Sequence, residues 1–222
     1  MQVRNRHTPT FGVARLLLAP GEPARIATGS MLATSYGVVV EARNGGLLKS
    51  LTRSSSAGGT TCTAGQQGGW VDVAPALPGD LHVLELDGYG WCVAGSAWLA
   101  AAAGVQLDEQ WAGFKNLFGG ERGFLRHVSG QGPVVLACYG ALDVMTLQPG
   151  EFLTVDTGHV VAYGESVQTR LRQSGHGVAQ SMKTGEGLVF DFAGPGQVLV
   201  QTRDPRSMVA WLQSQGLGSP RS

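Results

Sequence analysis

Asp156 and His159 flank Thr157-Gly158 three residues apart. A carboxylate beside an imidazole is a ready proton-transfer pair, and the same two side chains could supply half of a metal site. The competing reading is local: a turn aspartate that accepts backbone N–H bonds, followed by a surface or interface histidine. The aligned stretch near the N-terminus carries Ala27 and Ser30 at these positions. The chain therefore does not reuse the chemistry, and the local reading is preferred. Asp156 and His159 are the weak candidates for a functional surface; no catalytic, cofactor-binding or metal residue is assigned.

The remaining chemistry-bearing residues are scattered. His82, His127 and His176 are isolated, without the H-x-H or H-x-x-x-H spacing that places two ligands on one metal. Glu22 and Glu151 occupy matching Pro-Gly-Glu phrases. They could act as paired carboxylates, but the turn itself accounts for them. Of the three cysteines, Cys138 and Cys92 lie in apolar runs and read as inert buried thiols. Cys62 reads as exposed and reactive, because residues 54–69 look like a Ser/Gly/Thr-rich loop. The glycine clusters lack the G-x-x-x-x-G-K-[ST] pattern that cradles phosphate and read as turn glycines.

The elements that must position these residues repeat. Pro20-Gly21-Glu22 and Pro149-Gly150-Glu151 are each followed, at the same distances, by Thr-Gly, Ala, Val and Arg. A weaker middle copy places Gly29 on Gly95 and Ala33 on Leu99, with Asp87-Gly88 at the turn. The last two copies also share a phrase, Gly132-Pro133-Val134 being echoed by Gly196-Gln197-Val198. The chain divides into β repeats at residues 11–79, 80–142 and 143–203. Short apolar runs between glycine and proline turns give an all-β chain of tandem sandwich units. Pro-Gly at Pro20, Pro78 and Pro149 suits type II turns. Short helical turns are expected near 46–53 and 111–118. A C-terminal helix is expected over 205–215, with Asp204 as N-cap, Pro205 at N1 and Gly216 beyond its end. Its Met208, Trp211 and Leu212 share one face.

Composition narrows the function classes. The chain has 222 residues, 34 of them glycine, and a formal net charge of +0. Neutrality argues against nucleic acid as the partner, since phosphate neutralisation supplies much of that affinity. Three cysteines without a C-x-x-C pair or an N-terminal apolar signal core suit a reducing, cytoplasmic setting. No apolar run approaches a membrane span, although peripheral membrane contact stays open.

An ordered set of phrases carries a resemblance: Leu18-Ala19-Pro20-Gly21-Glu22, Thr28-Gly29-Ser30-Met31, Gly45 to Leu51 (Gly-Gly-Leu-Leu-Lys-Ser-Leu) and Pro75-Ala76-Leu77-Pro78-Gly79-Asp80. It continues through Gly95-Ser96-Ala97-Trp98-Leu99, Tyr139-Gly140-Ala141-Leu142, the run from Val155 to Ala162, and Val200-Gln201-Thr202-Arg203-Asp204-Pro205. Together these resemble the altered-inheritance-of-mitochondria protein 24 family over nearly the whole chain. The resemblance implies a fold like the tryptophan RNA-binding attenuation protein, with three tandem repeats in a chain that forms homotrimers, and no enzymatic activity or cofactor. It also implies a link of the mitochondrial branch to inner-membrane organisation. The family usually carries Gly-Glu-Ser and a bulky apolar stretch after Gly-Gly-Leu-Leu-Lys; here Ser54 to Thr61 stands instead, so partner or membrane contacts of that stretch are not expected to carry over. The expectation is a non-catalytic oligomeric scaffold or protein-interaction module. The alternative is a small-ligand or nucleic-acid binder using grooves between repeats, and last a metal-dependent enzyme.

Overall fold

The computed structural model describes residues 1–42, 59–109, 111, 125–174 and 187–217. The helical turns expected near 46–53 and over most of 111–118 lie outside the described residues, as does His176. The rest is mostly β, with one short C-terminal helix and sheets that do not close on themselves.

After an N-terminal strand β1 (Gln2–Arg6), six strands follow: β2 (Val13–Leu18), β3 (Pro23–Ala27), β4 (Met31–Thr34), β5 (Val39–Ala42), β6 (Gly59–Thr63) and β7 (Gly69–Val73). The central stretch holds β8 (Leu81–Asp87), β9 (Trp91–Ala94), β10 (Trp98–Ala102), β11 (Val105–Asp108) and the long β12 (Leu125–Ala137). The last holds β13 (Leu142–Leu147), β14 (Phe152–Asp156), β15 (Val160–Gly164), β16 (Gln168–Gln173), β17 (Leu188–Ala193), β18 (Gly196–Gln201) and the helix α1 (Pro205–Ser214).

One pairing scheme recurs. In the first stretch β7 lies between β2 and β4, and β6 between β3 and β5. In the last, β18 lies between β13 and β15, and β17 between β14 and β16. In the middle, the two halves of β12 take both central roles: its C-terminal half pairs with β8 and β10, its N-terminal half with β9 and β11. A bulge interrupts the third strand of each set at Met31/Ala33, Trp98/Ala100 and Val160/Ala162. By ladder register Ala33 therefore matches Ala100, one residue beyond the Leu99 suggested by matching glycines; the bulge residue is what a glycine-anchored alignment misplaces.

The sets are stitched edge to edge. β10 adds to β3, and β15 adds to β9. Apolar residues on both faces of these joined sheets fill three cores. Ala100 and Val135 pack with Leu16, Ile26 and Val71 of the first set; Ala162 and Leu199 pack with Val93, Trp98 and Val134 of the second. Cys92 and Leu125 pack with Phe190, Phe192 and Tyr163 of the third.

The Pro-Gly-Glu turns are structural. Gly21 and Gly150 hold φ of 69° and 85°, and Glu22 and Glu151 donate their backbone N–H to Ala19 and Gln148 across the turn. Each glutamate also accepts a backbone N–H with its side chain, from Ala19 at 2.8 Å and from Gln148 at 2.7 Å. Pro78-Gly79 differs from the expected type II turn, because Gly79 is not among the positive-φ glycines. It is glycine because the chain runs against the Cys138 carbonyl there, leaving no room for a Cβ.

The loop expected over 54–69 is corrected from residue 59 onward; residues 54–58 lie outside the described residues. Gly59–Thr63 is a strand, held between β3 and β5, and Cys62 is fully buried in the first core. Threonine-rich sequence satisfies a ladder as well as a loop, and the neighbouring strands decide. All three cysteines are buried and free. Burial pushes the thiols of Cys62 and Cys138 up, and that of Cys92 up to about 12. Because the thiolate is the reactive form, the folded protein is expected to leave a thiol-specific chromogenic reagent almost unreacted at neutral pH. All three thiols should titrate once denaturant is added. Fast labelling of one thiol in the native protein would contradict the burial of Cys62.

Candidate functional site

Asp156 ends β14 and His159 precedes β15, so a tight turn brings them to one corner. Their side chains serve different partners. Asp156 Oδ1 accepts the Gly158 N–H at 2.7 Å and an Arg206 N–H at 2.8 Å. His159 Nδ1 lies 2.8 Å from the Gln201 carbonyl oxygen. A carbonyl can only accept, so Nδ1 carries the proton and donates. Gln201 braces the corner: its side-chain amide donates to the Gly158 carbonyl at 2.9 Å, and its Oε1 accepts the Tyr139 N–H at 2.8 Å.

The sequence singled out two residues that the structure places at one corner without an imidazole–carboxylate hydrogen bond between them. Asp156 anchors a helix instead. Asp204 caps α1 by accepting the Arg206 N–H at 2.9 Å, and the Arg206 guanidinium reaches across to Asp156. At the matching first-set corner, Ser30 Oγ donates to the Ala27 carbonyl at 2.7 Å. Both corners close with the same backbone bond, Ser30 N–H to Ala27 and His159 N–H to Asp156, but Gly29 holds a φ of 79° where Gly158 is not among the positive-φ glycines, and the side-chain partners change. Met208 on α1 receives the Tyr139 hydroxyl at 3.3 Å, whereas Val209 and Trp211 are exposed.

A second imidazole–carboxylate pair had no signal in the sequence. His127 Nε2 lies 2.9 Å from Glu165 Oε2, and Trp111 stacks on the His127 ring at 4.3 Å. The pair forms because β15 adds to β9 beside β12, bringing together residues far apart in the chain. Gly90 lies against both side chains and admits no Cβ. His82 lies apart on β8, where burial pushes its pKa down against a smaller opposing pull from Asp80. Among the described residues, no group of three or more His, Cys, Asp or Glu side chains converges to hold a metal ion. No helix of the described residues is long and apolar enough to cross a membrane.

The profile of the family described as Mitochondrial biogenesis AIM24 matches residues 3–203. The chain belongs to this family. An uncharacterised protein of Streptococcus pyogenes serotype M6 is 27% identical over 205 residues, covering 86% of this chain and 82% of its own. A Streptococcus pyogenes protein solved by X-ray crystallography superposes with a TM-score of 0.80 at 25% identity, over 96% of this chain and 99% of its own. The AIM24 match takes in the Asp156 corner and the His127–Glu165 pair, and ends just before the Asp204 cap.

Proposed function

We propose that this AIM24-family chain is a non-catalytic scaffold or protein-interaction module. In this reading it consists of three tandem β-sandwich units of the attenuation-protein kind, works in the cytoplasm, and assembles with copies of itself, a homotrimer being favoured. The observation that carries the reading is the common pairing scheme of the three strand sets, with each set's third strand carrying its bulge at the same place. A repeated architecture joined edge to edge builds extended surface and positions units for assembly. The side chains at the matching corners support it too, because Glu22, Glu151 and Asp156 spend their carboxylates on turn N–H groups and on the helix anchor.

Native mass spectrometry of the freshly purified protein tests this directly. The expected spectrum holds a single homo-oligomer, three subunits under the favoured form, with no added mass. A bare monomer at micromolar concentration would remove the oligomer. A stoichiometric small molecule or metal would replace the scaffold with a ligand binder.

A further inference from the structure

Among the described residues, two strand edges have no counterpart at the junctions inside the chain. β4 ends one sheet and β14 ends another. They are the third strand of the first set and the second strand of the last. Within the chain, third strands add to the second strands of the preceding set: β10 to β3, β15 to β9. The series therefore leaves one acceptor edge and one donor edge of matching kind, at opposite ends of the repeat order. Resting on the oligomer reading above, we infer that the partner is a second copy of this chain, joined head to tail by antiparallel addition of β4 to β14.

Exposure agrees with this assignment. All five residues of β10 and all five of β15 are buried. In β4, Met31 is 46% exposed and Leu32 60%, where the matching Trp98 and Leu99 are 5% and 3% and Val160 and Val161 are 2% and 0%. Phe152, at the start of β14, is 79% exposed. Apolar side chains thus stand in solvent at the strands whose counterparts are covered by a neighbouring set. An open edge with apolar side chains is a template for pairing with another chain. The two edges differ, so the contact is heterologous, and it closes into a ring or runs on as a filament according to the rotation per copy.

The internal junctions also fix the register. Ala100 faces Ile26 and Ala101 faces Arg25; Ala162 faces Val93 and Tyr163 faces Cys92. Ala33 holds the place of Ala100 and Ala162 beside the bulge. Val155 stands as far ahead of its bulge as Ile26 and Val93 stand ahead of theirs. Between copies, Ala33 then faces Val155 and Thr34 faces Thr154. Directly opposed residues bring their Cβ atoms within about 4.5–5.5 Å, close to the span of a disulfide.

The test is cysteine cross-linking in the full chain, with the wild type as control for its three buried thiols. Co-expressed Thr34→Cys and Thr154→Cys chains, mildly oxidised, are expected to give a disulfide-linked pair wherever β4 of the Thr34→Cys chain meets β14 of the Thr154→Cys chain, which is one of the two orders of a mixed contact. Either variant alone should stay at the wild-type background. The double variant should give a ladder reaching the subunit number seen by native mass spectrometry. Dimers from one variant alone would mean like edges pair, and a double variant that closes only within its own chain would mean the edges meet intramolecularly; either overturns the proposal. An oligomeric wild type without cross-links overturns the edge assignment and leaves the oligomer standing, whereas a monomeric wild type removes both. Leu32→Asp provides a second measurement that needs no disulfide. It is expected to shift the assembly to monomers with an unchanged circular dichroism spectrum, and an intact oligomer would count against β4 as the contact.

Discussion

Phe192→Ala is expected to destabilise the protein by about 3–5 kcal/mol, the usual cost of deleting a buried aromatic ring. Phe192 is 1% exposed, and its ring centroid lies 5.4 Å from that of Phe190 and 5.1 Å from that of Tyr163. These three rings are the largest buried side chains of the third core, and tilted aromatic pairs add to simple area burial. Truncation leaves a cavity that two neighbouring rings are too rigid to fill. Phe192 also stands on β17, the central strand between β14 and β16, opposite Leu153 and Thr169. The loss therefore reaches the strand that carries the proposed acceptor edge, and amide exchange in β14 should accelerate along with the lower urea midpoint. Phe152→Ala is the matched control: the same side chain, 79% exposed on the adjacent strand, should change monomer stability by no more than about 0.5 kcal/mol. Equal losses for the two substitutions would contradict the placement of Phe192 in a core.

The difference between these two phenylalanines marks how far the sequence could be read. Short apolar runs between glycine and proline turns identified a β chain, and local chemistry identified its punctuation. The Asp204 cap, Pro205 and Gly216 bounded a helix that forms over Pro205–Ser214, and Gly216 holds the expected positive φ of 77°. The Pro20 and Pro149 turns were equally legible, because each is completed within four residues. What depended on distant partners was not. Gln2–Arg6 is almost wholly polar and becomes a strand only because β2 offers it a ladder. Gly59–Thr63 reads as a loop by composition and is a strand because β3 and β5 flank it. At the candidate corner, spacing brought Asp156 and His159 together but could not reveal that Arg206 and the Gln201 carbonyl claim them. The His127–Glu165 pair depends on the β9–β15 junction, which no local pattern encodes.

The same dependence on distant partners makes Asp72 the sharpest polar test. Its carboxylate, on β7 and 3% exposed, accepts from Arg15 Nε and one terminal nitrogen at 2.8 Å each, and from Arg6 at 2.6 Å. Arg15 in turn stacks over Trp70 at 3.9 Å. At this place in the other two sets stand Val135 and Leu199, both fully buried and apolar. A charge in an apolar position persists only with its partners, and removing one member of such a group costs about 3–5 kcal/mol when all members are buried. Arg6 and Arg15 keep part of their surface in water, so Asp72→Asn is expected to cost about 2 kcal/mol. Hydrogen bonding from Arg15, aided by the charges of Arg6 and Arg15, outweighs burial and holds the Asp72 carboxyl below its usual range. The unfolded chain, with an ordinary value of about 3.9, therefore takes up the proton first as the solution is acidified. The stabilisation is complete above that value and disappears as pH falls through the lower folded value. His82 adds its own acid sensitivity, because burial lowers its pKa and the unfolded imidazole protonates first, near pH 6.5. Both proteins share that loss, so the informative quantity is their difference. Urea denaturation of the two across the acid range should give curves offset by a constant amount from neutrality to about pH 4, then converging. A gap that stays constant into stronger acid would mean that Asp72 contributes by shape and not by charge.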